Sequence, residues 1–329
     1  MTTGRFNMRT MQLLGLLADG QFHSGEKLGK ILGISRASVF NALQCAAEYN
    51  LELHRVRGRG YCLQRPWEQL RHNEVLRLLG EEAAIFNLEI LQQATSSNSV
   101  LLKHAGLGAM SGSVIAVEFQ TEGRGRLGRV WHSGLGSTLT FSLLWRFDCG
   151  PNALSGLSLT MGVALVRAIN RLSIQQKIKL KWPNDIVTEQ GKLGGILIEV
   201  QGDMLGPSAV IIGIGINCAL QADLKKKIDQ PASSLDEICT VVPSRNQLLA
   251  VVLQESAVVL QQYTNGGFAT LRSEWEKYHF YQNHEIQLQI SENVTIKGIA
   301  RGVSNNGELF METAHGLRSF SSGEVRTRR

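Results

Sequence analysis

A glycine- and arginine-rich segment between two apolar runs constrains this chain more than any other part of its sequence. The segment is Thr121–Arg129, TEGRGRLGR, which follows the apolar run Val114–Phe119 and precedes the apolar run Thr138–Trp145. Glycine lets a backbone bend and approach a ligand closely. Arginine offers a planar fork of donors that suits phosphate or carboxylate groups. The segment therefore predicts a loop between two strands that holds an anionic ligand, with a solvated basic loop as the alternative.

The composition narrows the class of protein. The chain of 329 residues is long enough for two or three domains, and its 43% hydrophobic and 19% charged residues are ordinary for a soluble globular protein. No apolar run approaches the roughly 18 residues of a membrane span, and the N-terminus lacks a signal-peptide pattern. The five cysteines are scattered without a C-x-x-C spacing, which predicts neither a disulfide framework nor a metal site. These features predict a cytoplasmic protein with no membrane partner.

The first 65 residues have the pattern of a DNA-binding unit. Residues 1–64 carry eight Lys/Arg against four Asp/Glu, and such a basic excess favours a nucleic-acid partner. The spacing of apolar residues predicts helices over Met8–Ala18, Gly25–Leu32 and Arg36–Tyr49, and alternation around a glycine turn predicts a hairpin over Leu53–Leu63. The residues predicted to form the core of this unit are Leu28, Ile31, Ile34, Val39 and Leu43.

The predicted DNA contacts lie on the third helix and on the hairpin. Polar side chains on the helix face opposite the core can reach base edges or phosphates, and the hairpin tip is basic. These candidate residues are Ser35, Arg36, Ser38, Asn41, Gln44, Arg55, Arg57 and Arg59. Ser35 is also placed to cap the third helix. The alternative interpretation is a small helical cap with a solvated hairpin.

Beyond residue 66 the sequence alternates between helical and strand patterns. A helix over Trp67–Leu79 is predicted to link the N-terminal unit to the rest of the chain. Gly191–Val200 and Ala209–Asn217 are predicted to be neighbouring apolar strands. From about residue 283, short alternating runs predict a small β-barrel.

Four motifs follow one another in the middle of the chain. They are GRGRLGR at 123–129, KWPND at 181–185, GKLGGILIE at 191–199 and GIGIN at 213–217. In this order they resemble the catalytic domain of biotin protein ligases, and such a set is much more specific than one glycine-rich loop. With the N-terminal helix-turn-helix and the C-terminal β segment, roughly the whole chain is similar to bifunctional biotin protein ligases that are also biotin operon repressors. Leu127 departs from the commonest family loop, GRGRRGR, and removes one positive charge.

The resemblance implies an α+β fold in three parts. Residues 1–65 would form a winged helix-turn-helix DNA-binding domain. Residues 66–282 would form a central mixed-sheet α/β ligase domain similar to class II aminoacyl-tRNA synthetases. Residues 283–329 would form an SH3-like β-barrel.

The resemblance also implies two functions. The first is an ATP-dependent biotin protein ligase that forms biotinyl-5′-AMP with Mg²⁺ and transfers biotin to a lysine of a carrier, the biotin carboxyl carrier protein of acetyl-CoA carboxylase. The second is a repressor of biotin biosynthesis genes that uses biotinyl-5′-AMP as corepressor. The implied partners are biotin operator DNA and, in the adenylate-bound state, a second copy of the chain.

The resemblance assigns the site residues to three groups. Lys181, Arg124 and Arg126 would be catalytic, because they can stabilise charge that builds up around a carboxyl and a phosphate. The residues implied to bind biotin are Ser96, Ser97, Asn98, Gln120, Arg124, Gly125, Arg126 and Lys181. The residues implied to bind the nucleotide are Gly123, Lys192, Gly213, Gly215, Asn217 and Arg328. Judged from the residues alone, Ser97 or Asn98 is equally suited to helix capping, and Arg328 to a solvated tail. Trp131 is predicted to pack in the core, with a hydrophobic wall for the ligand as the alternative.

Two other functions fit parts of the sequence. A lipoate or octanoate ligase or transferase would share the catalytic fold, but the Gly/Arg loop together with KWPND favours biotin. A transcription factor whose ligase-like domain only senses a metabolite would share both units, but intact Lys181, Arg124 and Arg126 favour an enzyme.

Overall fold

The N-terminal part of the chain forms three helices and a hairpin. A computed structural model describes residues 8–49, 51–172 and 177–326. The first elements are α1 (Met8–Leu16), α2 (Gly25–Leu32), α3 (Arg36–Leu43), a 3₁₀ turn (Gln44–Tyr49), β1 (Leu53–Val56) and β2 (Gly60–Leu63). The hydroxyl oxygens of Ser24 and Ser35 cap α2 and α3 by accepting from the backbone N–H three residues further on, at 3.1 Å each.

Two expectations for this unit are wrong in detail. The third helix was expected to reach Tyr49, but its α-helical part ends at Leu43 and the chain continues as the tighter 3₁₀ turn. Ile31 was expected in the core, but 52% of it is exposed, because it lies on the solvent side of α2. Leu28, Val39 and Leu43 are buried as expected.

A seven-stranded mixed sheet forms the middle of the protein. Its strands are β3 (Asn87–Ala94), β4 (Ser113–Gln120), β5 (Thr138–Phe147), β6 (Lys179–Lys181), β7 (Asp185–Thr188), β8 (Gly191–Gly202) and β9 (Ser208–Asn217). Their order across the sheet is β3-β4-β5-β9-β8-β7-β6, and only the β3–β4 pair is parallel. The expected pairing of the two apolar strands is confirmed, since β8 and β9 are antiparallel neighbours.

Helices cover both faces of this sheet. They are α4 (His72–Leu79), α5 (Ser97–Gly106), α6 (Leu157–Arg171), α7 (Ala222–Lys226), α8 (Leu235–Ile238), α9 (Arg245–Gly266) and α10 (Arg272–Tyr278). The main core includes α6 and α9, whereas α5 packs into a separate cluster with Ile115, Val117 and Ile211. Within the described ranges, no helix combines the length and the hydropathy that a membrane crossing requires.

The connection between the N-terminal unit and the sheet is extended where a helix was expected. The helix predicted to start at Trp67 starts at His72. The preceding backbone N–H groups have partners outside a helix: Trp67 N–H donates to Ala18 O at 3.0 Å, and Leu70 N–H donates to the Glu118 carboxylate at 2.5 Å. In a helix that began at Trp67, the Leu70 N–H would bond to the carbonyl of Pro66 and its bond to Glu118 would be lost.

The chain ends in a five-stranded antiparallel sheet. Its strands are β10 (Glu285–Ser291), β11 (Val294–Val303), β12 (Leu309–Thr313), β13 (Gly316–Phe320) and β14 (Glu324–Arg326), in the order β13-β12-β11-β10-β14. Buried residues of this sheet, such as Leu309 and Met311, are continuous with the main core. The Trp182 indole N–H, just after β6, donates to Gly307 O at 2.9 Å and joins the two sheets. The expected central mixed sheet and C-terminal β segment are confirmed.

Candidate active site

The Gly/Arg loop is held in a compact form between β4 and β5. Trp131 N–H donates to Gly123 O at 2.8 Å, and Gly125 N–H donates to Arg129 O at 2.7 Å. A Cβ atom at position 123 would lie 2.3 Å from the Trp131 carbonyl oxygen, so glycine is required there. Leu127, at the tip, has a left-handed φ of 56° and is 78% exposed. The loop is expected to bind an anion, and its arginines line two adjoining cavities.

The smaller cavity, of about 60 Å³, lies at the carboxyl end of β4. Seven of the eight residues that the resemblance assigns to biotin line it: Ser96, Ser97, Asn98, Gln120, Arg124, Gly125 and Arg126. Gly213 and Gly215, which were expected beside the nucleotide, line this smaller cavity instead. A Cβ atom at Gly213 would lie 2.3 Å from the Asn98 side chain, and one at Gly215 would lie 2.5 Å from the Trp131 ring. The two glycines therefore make room for side chains of the cavity wall.

Hydroxyl and amide groups of the smaller cavity are bonded to one another. The Gln120 side-chain oxygen accepts from Ser97 N–H at 2.7 Å. Ser142 Oγ, fully buried on β5, lies 2.7 Å from Ser97 Oγ and 2.5 Å from Asn98 Oδ1. The expected capping of this helix by the side chain of Ser97 or Asn98 is wrong, because both residues lie inside α5 and the Gln120 amide serves the first turn. These groups are therefore held in position by the protein itself.

Glu199 on β8 joins this network to the Gly/Arg loop. Its Oε2 accepts from Asn98 Nδ2 at 2.7 Å and from Arg124 Nη2 at 2.7 Å. The carboxylate fixes which way the Asn98 amide points, since only the NH₂ group can donate to it. It also neutralises Arg124, so the charge at this wall is balanced.

The larger cavity, of about 410 Å³, extends from the same loop toward the C-terminal sheet. Its polar and charged lining includes Arg126, Arg129, His132, Lys181, Asn184, Asp185, Lys192, Asn217, Lys227, Asp229, Gln230 and Glu324. Lys181 is the one residue of the implied biotin group that lines this cavity and not the smaller one. Gly123 lines neither cavity, and Arg328 lies outside the described residues.

Five residues line both cavities and so mark the junction between them. They are Gly125, Arg126, Trp131, Asn184 and Lys192. Arg126 Nη1 donates to Asn184 Oδ1 at 3.1 Å. Lys192 Nζ lies 2.7 Å from Asp185 Oδ1 and 5.8 Å from the centre of the Trp131 ring. A ligand that spans both cavities would pass these two cations at its midpoint.

Trp131 forms part of the wall between these cavities. Core packing was the preferred expectation for this residue and a ligand wall was the alternative. The residue is only partly buried and it faces Lys192 and Gly215. Its indole nitrogen is buried, and no hydrogen-bond partner for it lies within the described residues. The indole therefore offers an unused donor at the junction.

Burial shifts the pKa values of charged groups in the larger cavity. Loss of solvent lowers the pKa of the Lys181 ammonium, and the neighbouring Lys192 and Arg129 lower it further, against the opposing effect of Asp185 and Glu324. Loss of solvent also lowers the pKa of the Arg126 guanidinium. Burial would raise the pKa of Glu324, but the hydrogen bond with Arg129 and the positive charges of Arg129, Arg326 and Lys181 together outweigh this effect and lower that pKa. An anion placed here would meet desolvated positive groups.

Asn217 links two walls of the larger cavity. Its Nδ2 donates to Lys192 O at 3.1 Å and to Ser233 O at 3.0 Å. Lys192 N–H in turn donates to Pro231 O at 2.9 Å. The segment 227–232 is thereby held against the start of β8, where it lines the cavity.

Sequence reasoning missed Ser142 and Glu199, although both carried a recognisable pattern. In the otherwise apolar strand β5, hydroxyl residues recur at Thr138, Thr140 and Ser142, which share one face of the sheet. All three are buried, and Thr140 also lines the smaller cavity. Glu199 is a single charge in an apolar run, which also predicts a specific partner.

The implied DNA contacts lie together on the N-terminal unit. Ser35, Arg36, Asn41 and Gln44 are exposed on or beside α3, Ser38 is half-buried, and the three arginines are exposed on the hairpin. The Arg55 guanidinium lies 4.6 Å from the centre of the Phe40 ring and so connects the hairpin to α3. Ser35 and Ser38 are bonded to each other through the cap of α3. The structure thus gathers these residues on one unit.

The fold and the joined cavities define a protein of the biotin and lipoate ligase class. Residues 91–217 match the Biotin/lipoate A/B protein ligase family, and residues 283–327 match the Biotin protein ligase C terminal domain. The biotin protein ligase of Aquifex aeolicus, solved in complex with biotin and ATP, superposes with a TM-score of 0.63 at 29% identity, over 74% of this chain and 99% of that chain.

Relatives that match over nearly the whole chain define its family more closely. The chain is 34% identical to the bifunctional ligase/repressor BirA of Escherichia coli over 323 residues, which is 98% of both chains. It is 30% identical to the bifunctional ligase/repressor BirA of Bacillus subtilis over 94% of both chains. The chain belongs to the family of bifunctional ligase/repressor proteins.

Proposed function

We propose that this chain is an ATP-dependent biotin protein ligase and a repressor of biotin biosynthesis genes. The observation that carries the ligase activity is the pair of cavities joined at Arg126 and Lys192. The smaller cavity offers fixed hydrogen-bond partners to a neutral ring, and the larger one offers cations to phosphates. The relative from Aquifex aeolicus, with biotin and ATP bound, supports this pairing of ligands.

Biotin would occupy the smaller cavity. The ureido group of biotin has one oxygen and two N–H groups, and each needs a fixed partner when buried. Ser96, Ser97, Asn98 and Gln120 offer such partners, and Ser142 and Glu199 hold them in orientation. The biotin side chain would then lead its carboxylate to Arg126 and Lys192.

The first reaction step would form the adenylate. A carboxylate oxygen attacks the α-phosphorus of ATP, the bond to the β-phosphate oxygen breaks, and pyrophosphate leaves with that electron pair. The resulting mixed anhydride makes the acyl carbon reactive. Arg126, Lys192 and Lys181 would stabilise the negative charge that gathers on the phosphate and carboxyl oxygens. Because Arg126 and Lys192 line both cavities, they are placed for the reacting atoms, and Lys181 for the phosphates.

Mg²⁺ would enter with the nucleotide. This ion is usually held by one or two carboxylates together with substrate phosphates, and it shields phosphate charge when bound. Asp185 is a carboxylate at the wall of the larger cavity, beside Lys192. Within the described ranges no three His, Cys, Asp or Glu residues cluster as a metal site. The donor set therefore fits an ion carried by ATP.

The second step would transfer biotin to a lysine of the biotin carboxyl carrier protein. The lysine amine attacks the acyl carbon, an amide bond forms, AMP leaves, and the amine proton passes to solvent. Arg124, Arg126 and the loop backbone would hold the adenylate until the carrier arrives. The acyl-transfer products are a biotinylated lysine and free AMP.

Incubation with biotin, ATP, Mg²⁺ and purified carrier protein tests the complete reaction by mass spectrometry. We expect a mass increase of one biotinyl group on a single lysine, and none when lipoate or octanoate replaces biotin. A carrier modified by lipoate or octanoate and not by biotin would contradict the proposed substrate.

The repressor function would rest on the N-terminal unit. We propose the division into a winged helix-turn-helix domain (1–65), a ligase domain of class II aminoacyl-tRNA synthetase type (66–282) and an SH3-like domain (283–329). Biotinyl-5′-AMP would act as corepressor by favouring a homodimer, which places two N-terminal units on a two-fold biotin operator. The full-length match to bifunctional relatives and the basic hairpin support this proposal.

Two variants test the DNA contacts separately. Asn41→Ala should weaken binding to a biotin operator by about 1–3 kcal/mol and relax its sequence preference, as for a lost base contact. Arg57→Ala should weaken binding to all sequences and reduce the salt dependence by about one phosphate contact. Gel shifts with and without biotin and ATP measure both. Operator binding that ignores biotin and ATP would contradict the corepressor role.

A further inference from the structure

A buried ion pair lies behind the two cavities and lines neither of them. It joins Arg245, the first residue of α9, to Glu118 on β4, with Nη1 2.8 Å from Oε2. The two side chains are 5% and 0% exposed. Burying two charges costs free energy that their attraction does not always recover. A gain in stability is therefore not enough to explain why these two charges are buried.

Both members of the pair hold the extended connection between the N-terminal unit and the sheet. We call residues 66–71 the connector. Arg245 Nη1 donates to Glu68 O at 2.8 Å. The second oxygen of Glu118 accepts from Leu70 N–H at 2.5 Å. The connector is thus bonded to the two buried charges through its own backbone.

Neighbouring groups complete the attachment. The Glu68 carboxylate accepts from Arg245 N–H at 2.6 Å, from Ser244 Oγ at 2.7 Å and from Asn246 Nδ2 at 2.8 Å. Asn246 Oδ1 in turn accepts from Arg71 N–H at 2.7 Å. The start of α9 therefore binds the connector on both sides of Leu70.

The connector is also continuous with the N-terminal unit. Trp67 N–H donates to Ala18 O at 3.0 Å, just after α1. The Tyr49 ring packs against Phe119 of β4 with 5.0 Å between ring centres. Phe119 and Leu135 belong to the same buried cluster as the core of the three helices. A displacement of the N-terminal unit would therefore pull on the connector and on β4.

Other contacts of Glu118 and Arg245 connect the pair to strands that carry or adjoin residues of the two cavities. Glu118 is two residues before Gln120 on β4. Gln120 binds the first turn of α5 in the smaller cavity. Arg245 Nη2 donates to Thr138 O at 3.1 Å, and Thr138 pairs with Asn217 across β5 and β9. One guanidinium thus reaches the strand that carries Gln120 and the strand paired with Asn217.

We propose that Arg245 and Glu118 are positioning residues, which fasten the connector to β4, the strand that carries Gln120, and to β5, the strand that pairs with Asn217, and thereby hold these two residues in place for the ligand. The hydrogen bonds of the buried Arg245 guanidinium explain why a charged pair lies here. An apolar pair could fill the space, but it could not form hydrogen bonds with the backbone of both the connector and β5. The proposal rests on the proposed function for the identity of the ligand, biotin.

The test replaces both charges together, because removing one would leave the other buried without a partner. The variant is Glu118→Leu/Arg245→Met in the full chain. A matched control is Arg167→Met/Glu274→Leu, which removes a different ion pair, with two hydrogen bonds of 2.8 and 2.5 Å, between α6 and α10 and away from the connector. Arg245→Lys keeps the charge and serves as a milder variant if the double replacement fails to fold.

Hydrogen exchange of single amides is the first readout. Leu70 N–H should exchange faster in the Glu118/Arg245 variant, because its acceptor is gone. The deciding amide is Ser97 N–H, which is bonded to Gln120 and touches neither replaced residue. We expect it to exchange about tenfold faster in this variant, in keeping with the strength of coupling between neighbouring sites, and to be unchanged in the control.

Biotin affinity, measured by calorimetry, is the second readout. We expect the dissociation constant to rise about tenfold in the Glu118/Arg245 variant and to stay unchanged in the control. Faster exchange at Leu70 with unchanged exchange at Ser97 would overturn the proposal, since the pair would then hold the connector alone. A wild-type protein that binds no biotin would count against the proposed function, and the Ser97 exchange rate would still decide the role of the pair.

Discussion

The smaller cavity is lined by side chains that are bonded to one another, whereas the larger cavity is lined by cations that the protein neutralises only in part. In the smaller one, Ser97, Asn98 and Gln120 each have a protein partner within 2.7 Å. In the larger one, Arg126, Lys181 and Lys192 share the carboxylates of Asp185 and Glu324. The difference indicates that one cavity is preorganised for a neutral ring, and that the other gains most from an arriving anion.

The two cavities also differ in which parts of the chain build them. The smaller one takes its residues from the central sheet, α5 and the Gly/Arg loop. The larger one adds the segment 227–232 and residues Gly323–Val325 of the C-terminal part. Nucleotide binding should therefore depend on the assembly of the C-terminal sheet, whereas recognition of the biotin ring should not.

The largest effect is expected at the junction of the cavities. Lys192→Ala should lower the rate of biotin-dependent adenylation by about 10²–10³-fold, because it removes a donor aimed at developing charge. Lys181→Ala should cost only about tenfold and act mainly on the KM for ATP, because Lys181 lines the larger cavity alone. Steady-state kinetics of pyrophosphate release compare the two lysines directly. Equal losses, or a larger loss at Lys181, would break the distinction between them.

A smaller effect is expected from the hydroxyl behind the biotin contacts. Ser142→Ala leaves Ser97 Oγ and Asn98 Oδ1 without their shared partner, which should raise the dissociation constant for biotin about tenfold. The KM for ATP should stay the same. Ser208→Ala is the control, because it removes another buried serine hydrogen bond, to Cys149 O at 2.8 Å, outside both cavities. An equal loss of biotin affinity in the control would contradict the network.

The pH dependence should follow the larger cavity. Because burial lowers the pKa of Lys181 below its ordinary value of 10.5, the ammonium loses its charge earlier than a surface lysine would as the pH rises. We expect the KM for ATP to rise severalfold through that pKa at alkaline pH, while the biotin dissociation constant changes little. The inflection should be absent in Lys181→Ala. An inflection that persists in that variant would assign the titration to another group.

The smallest effect is expected where the C-terminal sheet touches the Gly/Arg loop. Glu324→Gln weakens the ion pair with Arg129, which is partly exposed, so the KM for ATP should change by only about two- to threefold. Glu312→Gln breaks a similar exposed pair with Arg301, away from the cavities, and should leave the KM unchanged. Matching effects in the two variants would show that the Arg129 contact has no special role.

The sequence predicted the polar cluster and the Gly/Arg loop well because their chemistry is local. Ser96–Asn98 and Thr121–Arg129 are continuous segments, and their side chains meet in the structure as expected. Both strands that flank the loop could also be read from apolar runs. The order of seven strands could not, because strand pairing depends on contacts between distant residues.

The missed features depend on tertiary contacts. The first turn of the helix expected from Trp67 does not form, because the backbone there bonds to residues far away in sequence. The hydrogen bond from Arg71 to Asn246, for example, spans 175 residues. Core packing was preferred for Trp131 over a ligand wall, but the absence of a Cβ atom at Gly215 lets its ring form the wall of a cavity. Lys181 and Lys192 both belong to motifs, but only the fold shows that Lys192 lines both cavities and Lys181 one.

Biotin-dependent exchange of labelled pyrophosphate into ATP tests the central claim most directly. The purified full chain is assayed with Mg²⁺ and with biotin, lipoate or no acid, beside the Arg126→Ala variant. We expect exchange with biotin alone and little exchange in the variant, because the carboxylate would meet the α-phosphate at Arg126. Exchange with neither acid, or with lipoate only, would contradict the account of two cavities that bind biotin and ATP.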